Sequence, residues 1–423
     1  MRLQFVNRNN ELHELDAAAK KGGLLVVYGR RRVGKTRLLR HWLQLHDGLY
    51  SQAIEAQRDQ QIQQLFQDLR IQLETQIVPK TWSEFLEILA LQKRRWILCL
   101  DEFPYLIAVD NSLPSQLQRW LDHSIPPHCL VILAGSSTRM MNEAFLNRSA
   151  PLYGRARKLL HVQPMDYSAF CQACGQDADK LESFEKFACV GGIPRYWEFL
   201  EPGQEVLALV DELYFDFAPY MEQEPQRILR DEGVAGLNAL AALEAVGRGA
   251  ERPSEIAARL GTAQTNLSRV LQQLLDASIL TRELPFGESL RSTKKVLYRI
   301  EDPTMRFWFR VYSPHQSRWL SYPIVQKKKL IHDHAATVFE DFCRARYSGA
   351  RRFWENDIEL DLVAPDPNDR QRLLITEVKF KHLSSSERKS TLHHLEDKWA
   401  RCSLSKHYAN FRLEVLDAGI LRN

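Results

Sequence analysis

The stretch GRRRVGKT, residues 29–36, constrains the fold of this chain more than any other. An apolar run precedes it at residues 24–28, and a mixed apolar and basic stretch follows it. This order predicts a buried strand, a glycine-bounded loop and the start of a helix, which is the context that the phosphate-binding pattern GxxxxGK[ST] requires. Glycines let backbone N–H groups turn toward phosphate oxygens, and the helix N-terminus adds partial positive charge. The predicted nucleotide-binding residues are Gly29, Arg30, Arg31, Arg32, Val33, Gly34, Lys35, Thr36 and Arg37.

An acidic pair forms the second signal. Residues 96–100 are a short continuous apolar run typical of a central parallel strand, and Asp101 and Glu102 follow it directly. Ligands bind at the carboxyl ends of strands in open α/β sheets. We therefore expect Lys35 to reach the β- and γ-phosphates, and Thr36 and Asp101 to hold Mg²⁺. Glu102 is expected to polarise the attacking water as a general base.

A third buried strand, residues 129–133, runs into Gly135, Ser136 and Ser137. A polar residue here can contact the γ-phosphate or the attacking water, and we favour Ser136 narrowly over Ser137. A plain Gly-Ser turn is the alternative. The N-terminal stretch FVNRNNEL has two equally weighted interpretations: a helix start packed on the sheet, or a segment beside the nucleotide base.

Residues 236–300 have a different pattern. A helix ending at Gly261, a turn and a longer helix predict a helix-turn-helix, and residues 279–300 read as a hairpin wing containing Lys294 and Lys295. Polar side chains on the exposed face of the third helix can hydrogen-bond base edges, and the lysines can contact phosphates. That face carries Gln264, Thr265, Asn266, Ser268 and Arg269. A protein-contact or lid module is an equally weighted alternative.

The C-terminal part carries a separate carboxylate pattern. A predicted hairpin would bring Asp361 close to Glu377, and strand alternation places Glu377 and Lys379 on one face. Two carboxylates can hold Mg²⁺, and a neighbouring lysine can activate water. Glu340 on the preceding predicted helix is a third carboxylate. An edge strand with alternating charges is the structural alternative.

Composition narrows the class of protein. The chain has 423 residues, of which 44% are apolar and 26% charged, and its net charge of +4 does not by itself argue for nucleic acid. Its seven cysteines, an odd number, argue against a disulfide framework. No apolar run is long enough to span a bilayer, and the first residues lack a signal-peptide core. We expect a cytoplasmic protein.

Taken together, these motifs resemble those of the archaeal-type P-loop ATPases, a family also found in bacteria and grouped near the STAND and AAA+ ATPases. The resemblance covers about residues 1–200 through FVNRNNEL, VVYGRRRVGKTRLL, TWSEFLEIL, ILCLDEFPYL, LAGSS, APLYGRA and GGIP. The remainder resembles an extension often fused to these ATPases, a winged helix followed by a domain similar to PD-(D/E)xK nucleases. Its marks are EDPTMRFWFR, FEDF, FWENDIELDLVA and ITEVKF.

The resemblance implies further roles. Through the resemblance, Arg155 becomes a γ-phosphate sensor or finger, acting in its own chain or in a neighbour. The local sequence alone favours a solvated surface arginine. Gly192 and Pro194 match a GxP motif that packs near the adenine. The resemblance also implies a nuclease-like site of Asp361, Glu377 and Lys379, with Glu340 as the helix carboxylate and metal ligands among the acids. The family's E-I-D here reads ELD, at residues 359–361, a mild apolar exchange.

The sequence therefore predicts an α/β protein with four parts. They are a P-loop ATPase core with a parallel sheet at residues 1–165, a helical lid at 166–232, a winged helix-turn-helix at 233–302 and a small restriction-endonuclease-like α/β domain at 303–423. We expect an ATP- and Mg²⁺-dependent ATPase coupled to DNA binding, with DNA cleavage open. The alternative is an ATPase switch or scaffold whose C-terminal half only binds a partner. A homo-oligomer is expected if Arg155 acts in a neighbouring chain.

Overall fold

The structure is a computed structural model that describes residues 3–92, 94–234, 236–291, 293 and 295–422, apart from the side chain of Arg370. Lys294, predicted to contact phosphate, lies outside the described residues.

A five-stranded parallel sheet forms the centre of the N-terminal half. Its strands are β1 (Gly23–Tyr28), β2 (Leu49–Gln52), β3 (Ile97–Asp101), β4 (Leu130–Gly135) and β5 (Ala156–His161). They lie in the order β2–β3–β4–β1–β5, and every pairing is parallel. Strands β3 and β4 are buried along their whole length, as expected for strands covered by helices on both faces. The predicted α/β P-loop sheet is confirmed.

Helices cover both faces of this sheet. They are α1 (Asn9–Lys21), α2 (Lys35–His46), α3 (Arg58–Leu73), α4 (Trp82–Ala90), α5 (Phe103–Val109), α6 (Leu113–His123) and α7 (Thr138–Phe145). Alternation along β1 sends Leu25 and Val27 into the core beneath α1 and α2, and Leu24 and Val26 into the core beneath α3 and α4. The carboxyl end of β1 is thereby held rigidly where the phosphate-binding loop begins.

A helical region follows the sheet. It consists of α8 (Tyr167–Cys174), α9 (Leu181–Val190), α10 (Pro194–Trp197), α11 (Val206–Val210), a π-helical turn (Asp211–Phe215) and α12 (Glu224–Asp231). Next come α13 (Leu237–Gly247), α14 (Pro253–Leu260), α15 (Gln264–Asp276) and the antiparallel strands β6 (Leu280–Glu283) and β7 (Leu297–Ile300). These three helices and two strands occupy the stretch where the sequence predicts a winged helix-turn-helix.

The C-terminal part is a second α/β unit. Its helices are α16 (Pro303–Phe307), continued by a π-helical turn (Trp308–Tyr312), α17 (Ser313–His315), α18 (Ile324–Ala345) and α19 (Ser385–Arg401). Its strands are β8 (Arg351–Glu355), β9 (Ile358–Asp366), β10 (Asp369–Lys379) and β11 (Phe411–Asp417). Strands β8, β9 and β10 pair antiparallel, and β11 joins β10 in parallel. The aromatic run at 304–312 is core, with Phe307 and Phe309 fully buried.

Among the residues described, no helix combines the length and apolar character that a bilayer crossing requires.

Candidate functional site

The loop between β1 and α2 forms a cradle with Lys35 at its centre. Gly29 and Gly34 have positive φ angles of 153° and 101°, and a Cβ at Gly29 would collide with the Val162 carbonyl oxygen. The Lys35 ammonium donates to the carbonyl oxygens of Gly29 at 2.8 Å and Arg30 at 2.9 Å. Burial lowers the pKa of Lys35 to about 8, against the opposing effect of nearby carboxylates. The cradle therefore holds a desolvated cation where the sequence predicts phosphates.

The Thr36 hydroxyl and the Asp101 carboxylate meet across the ends of β1 and β3. The hydroxyl of Thr36 donates to Asp101 Oδ2 at 2.6 Å, and that of Tyr50 donates to the same oxygen at 2.9 Å. Asp101 is fully buried. Hydroxyl and carboxylate oxygens are the hard ligands that Mg²⁺ prefers, and Mg²⁺ beside a nucleotide needs only one or two protein ligands. These two residues fit the predicted ion.

The predicted general base is paired with the favoured serine. Ser136 Oγ donates to Glu102 Oε1 at 2.6 Å. Ser137 has a different role, because its oxygen caps α7 by accepting the Met140 N–H at 3.2 Å. A cavity of about 630 Å³ opens beside this pair and is also lined by Arg31. Glu102 and Ser136 therefore both border an open cavity at the carboxyl ends of β3 and β4.

The N-terminal segment lies against the phosphate-binding loop. Arg8 donates to the carbonyl oxygens of Val33 and Gln163, both at 2.8 Å. Two residues beyond Gln163, the Met165 N–H donates to the Gly192 carbonyl at 2.8 Å. The turn that holds Gly192 and Pro194 is thus linked to the loop through Arg8. This arrangement brings the predicted adenine-side elements together.

The side chains of the three loop arginines, predicted to hold the nucleotide, face carboxylates instead. Arg30 pairs with Asp302 at 2.8 Å and Arg31 with Asp231 at 2.6 Å, and Arg32 pairs with Glu224. All three carboxylates come from elements far downstream in the chain. Their positions could not be read from the local sequence, since only the packing of α12 and α16 on the loop brings them there. The predicted phosphate contacts of this stretch are therefore left to the loop backbone and Lys35.

Arg155 does not reach the nucleotide loop of its own chain. Leu24, the second residue of β1, pairs with Ala156, so Arg155 lies at the amino edge of the parallel sheet. At about 3.3 Å per residue, the loop beyond Tyr28 is about 15 Å away at the opposite edge. There Arg155 makes a two-pronged contact with Asp122, at 3.1 and 2.9 Å. The sensor role within one chain is wrong on this geometry.

The C-terminal unit brings its four predicted residues together. Asp361 Oδ2 on β9 accepts the Val378 N–H at 2.8 Å, and Glu377 on β10 pairs with Lys379 at 2.8 Å. Burial, followed by the charge of Glu377, raises the pKa of Asp361 to about 6. Burial, followed by the charge of Asp361, raises the pKa of Glu340 on α18 to about 7. These shifts show that the carboxylates crowd one partly desolvated site.

A second lysine, missed by the sequence reasoning, completes this cluster. Lys398 on α19 contacts both carboxylate oxygens of Glu377, at 3.1 and 2.8 Å. A lysine on an amphipathic helix gives no local signal of such a role. Glu377, which is predicted to bind a metal with Glu340 and Asp361, is paired with both lysines in this structure. Within the described ranges, no three or more His, Cys, Asp or Glu side chains are placed to hold a metal ion.

The parallel sheet, the glycine-bounded loop around Lys35 and the Thr36–Asp101 contact define a P-loop ATPase core. Sequence comparison agrees. Residues 5–200 match the model of an ATPase domain found predominantly in Archaea, and residues 308–391 match a model of archaeal and bacterial proteins of unknown function. Residues 5–200 therefore match an archaeal ATPase domain, which supports ATP binding and hydrolysis, and residues 308–391 match a domain of unknown function.

Individual relatives extend over most of the chain. The uncharacterized protein MJECL04 of Methanocaldococcus jannaschii is 26% identical over 409 residues, which cover 90% of this chain and 89% of the relative. The uncharacterized ATP-binding protein MJ0423 of the same organism is 46% identical over 44 residues, covering 10% of this chain and 75% of that protein. The Walker-type ATPase PABY2304 of Pyrococcus abyssi has a TM-score of 0.53 at 20% identity, covering 73% of this chain and 96% of that one. At that identity the likeness concerns the fold.

Proposed function

We propose that this protein hydrolyses ATP with Mg²⁺ and uses its nucleotide state to control DNA binding. The observation that carries the hydrolytic part is the continuous set of contacts across three strand ends. Thr36 meets Asp101 at 2.6 Å, Glu102 follows Asp101 in the chain, and Ser136 meets Glu102 at 2.6 Å. These contacts support neighbouring positions for the phosphate, the metal ion and the attacking water.

Each residue has one task in this proposal. Lys35 leaves the two loop carbonyls to pair with phosphate oxygens, and Thr36 and Asp101 hold the magnesium ion. When bound, Mg²⁺ neutralises charge on the phosphates. Glu102 accepts the proton of the attacking water, and Ser136 fixes the carboxylate orientation by its hydrogen bond.

Two variants test ATP hydrolysis. Lys35→Ala removes the phosphate-binding cation and should weaken nucleotide binding and abolish turnover. Glu102→Gln keeps the shape of the site and should retain nucleotide binding while lowering kcat by about a hundredfold or more. The measurements are phosphate release and the binding of a fluorescent ATP analogue. Glu102→Gln with wild-type kcat would contradict the assigned base.

The DNA-binding part rests on the exposed face of α15. The polar side chains in its first two turns are exposed, while Leu267 and Leu271 hold the helix against the core. The exposed residues are Gln264, Thr265, Asn266, Ser268 and Arg269. With β6 and β7 as the wing and Lys295 exposed beside it, the arrangement supports a winged helix whose third helix enters the major groove. We keep the four-part division of the chain at residues 165, 232 and 302 as part of this proposal.

Fluorescence anisotropy with labelled duplex DNA, at several salt concentrations and with or without ATP, tests this step. Arg269→Ala should weaken binding, and should reduce the salt dependence by about one unit if the guanidinium contacts a phosphate. The matched control is Arg227→Ala on α12, which is also exposed but lies outside α15. Equal binding by both variants would favour the alternative, in which the three helices dock a protein partner.

DNA cleavage by the C-terminal unit is a second candidate function. The proximity of Asp361, Glu377, Lys379 and Glu340 favours it, because paired carboxylates with a lysine suit phosphodiester hydrolysis. The two lysines on Glu377 favour the other outcome, a surface that binds phosphates without cleaving them. Incubation of plasmid and linear DNA with the wild type and with Asp361→Ala, with Mn²⁺ or Mg²⁺ and with or without ATP, separates the two. Cleavage that Asp361→Ala abolishes would establish a nuclease, and no cleavage alongside intact ATP hydrolysis would establish a binding switch.

A further inference from the structure

We propose that Asp302 is a positioning residue of the ATP site, which acts through Arg30 to hold the phosphate-binding loop and makes ATP turnover depend on the docked C-terminal region. This inference rests on the proposed ATP hydrolysis. Asp302 lies outside the ATPase domain match at residues 5–200, about a hundred residues beyond its end.

The contact between Asp302 and Arg30 is buried on both sides. Their side chains are 4% and 12% exposed, and the guanidinium nitrogen lies 2.8 Å from the carboxylate oxygen. Burial alone would lower the pKa of Arg30, but the pKa is raised above its ordinary value because Asp302, with smaller effects of Tyr196 and Glu232, opposes the effect of burial. A buried guanidinium that loses its carboxylate becomes strongly unfavourable where it stands. Arg30 is therefore expected to move when Asp302 is neutralised.

Movement of Arg30 changes the loop itself. The carbonyl oxygen of Arg30 accepts a hydrogen bond from the Lys35 ammonium at 2.9 Å, and from the Val33 N–H at 3.4 Å. One residue thus joins Asp302 through its side chain to Lys35 through its backbone. In the proposed function, the Lys35 ammonium leaves these carbonyl oxygens and pairs with phosphate oxygens. The loop conformation that Asp302 holds therefore determines where the ammonium lies and how readily it leaves the carbonyls.

Asp302 is itself fixed by the C-terminal region. Its Oδ1 accepts the Met305 N–H at 2.8 Å and so caps α16. Thr304 packs tightly on Gly191, since a Cβ added there would lie 2.6 Å from the Thr304 hydroxyl. The start of α16 therefore contacts the loop through Asp302 and the GxP turn through Thr304, and the position of this helix is transmitted to the ATP site.

A parallel connection supports the same conclusion. Glu224 at the start of α12 pairs with Arg32 and also accepts the Tyr196 hydroxyl at 2.7 Å. Arg32 has a positive φ of 67°, a conformation that needs outside support in a residue other than glycine. Thus α12, through Glu224, and the start of α16, through Asp302, each hold one arginine of the phosphate-binding loop.

The experiment is a double-mutant cycle in the full chain. Asp302→Asn removes the charge but keeps a side-chain oxygen to cap α16, and Arg30→Met removes the guanidinium but keeps an unbranched stem. Each should lower kcat for ATP hydrolysis by about tenfold to a hundredfold, as expected for a misplaced site. The double variant should be no slower than the slower single, because the two residues act as one connection. Asp302→Glu should restore much of the rate.

Controls distinguish positioning from stability. Asp366→Asn alters another buried carboxylate, paired with Arg372 at 2.7 Å in the C-terminal sheet, and should leave kcat unchanged. A thermal unfolding curve of every variant shows whether it is folded at the assay temperature. Folded Asp302→Asn with wild-type kcat and KM would overturn the inference, as would losses that multiply in the double variant. If Asp302→Asn does not fold, wild-type turnover by Arg30→Met overturns it instead.

The proposed function fails in a different way. A wild-type chain that releases no more phosphate than Lys35→Ala would refute ATP hydrolysis, and the inference would fall with it. Hydrolysis that depends on Lys35 but not on Asp302 or Arg30 would refute the inference alone.

Discussion

At the scale of single residues, the two serines after β4 separate a chemical role from a structural one. Ser136→Ala removes the 2.6 Å hydrogen bond to Glu102 and should lower kcat by about tenfold without changing KM, because the base loses its orientation in an otherwise intact site. Ser137→Ala removes the α7 cap and should lower the free energy of unfolding by about 1 kcal/mol. Steady-state kinetics and denaturant unfolding of both variants check the assignment. The reverse pattern would exchange the two roles.

Arg155 is the residue for which the role implied by the family resemblance differs most from its place in the structure. Since it contacts Asp122 at the amino edge of the sheet, Arg155→Ala should leave kcat within about twofold of wild type in dilute, monomeric protein. The measurement is ATP turnover across a range of protein concentrations, with the oligomeric state followed by light scattering. A loss that appears only as the protein self-associates would place Arg155 in a neighbouring chain's site. A loss in the monomer would contradict the geometry described here.

At the scale of elements, the carboxylate cluster on α18, β9 and β10 should make stability depend on pH. The pKa of Glu340 is raised from its ordinary 4.5 to about 7, so the folded state favours the protonated form. The contribution of Glu340 protonation to the stability of the folded state is fully present below about pH 4.5 and is lost as the pH rises through about 7. Glu340→Gln should therefore raise the free energy of unfolding by about 3 kcal/mol at pH 8, the full effect of this pKa difference.

The same variant should change stability far less at pH 4.5, where Glu340 is protonated in the folded state and half protonated in the unfolded state. Glu396→Gln, on the exposed side of α19, is the control and should have no such pH dependence. Denaturant melts at the two pH values measure both. If Glu340→Gln changed the free energy of unfolding equally at both pH values, packing rather than ionisation would determine its effect.

Elements whose signals are local were predictable from the sequence. The loop around Lys35 and the acidic end of β3 are read from adjacent residues, and the hairpin of Asp361 and Glu377 from two neighbouring strands. Contacts set by long-range packing were not. Lys398 reaches Glu377 from α19, and the loop arginines find partners 192 and 200 residues away in α12. No periodicity or motif encodes which distant carboxylate a loop will meet.

At the scale of the whole molecule, one apolar core joins the ATPase sheet to the C-terminal helices. It contains Leu15 beneath the sheet, Leu243 on α13, Phe339 on α18 and Val378 on β10. Elements that share one apolar core are expected to unfold together. The chain should therefore show one cooperative unfolding transition, and not separate transitions for the ATPase and C-terminal parts.

Nucleotide binding should then stabilise both halves at once. With ADP and Mg²⁺ at a hundred times Kd, the free energy of unfolding should rise by about 2.7 kcal/mol. Hydrogen exchange in α18 should slow by the same factor as in α2, because both open only when the shared core opens. Lys35→Ala, which should bind nucleotide more weakly and so be stabilised less at the same ADP concentration, is the control for both measurements. Protection confined to α2, with α18 exchanging at its nucleotide-free rate, would show that the two halves open independently and that nucleotide is not felt beyond the ATPase core.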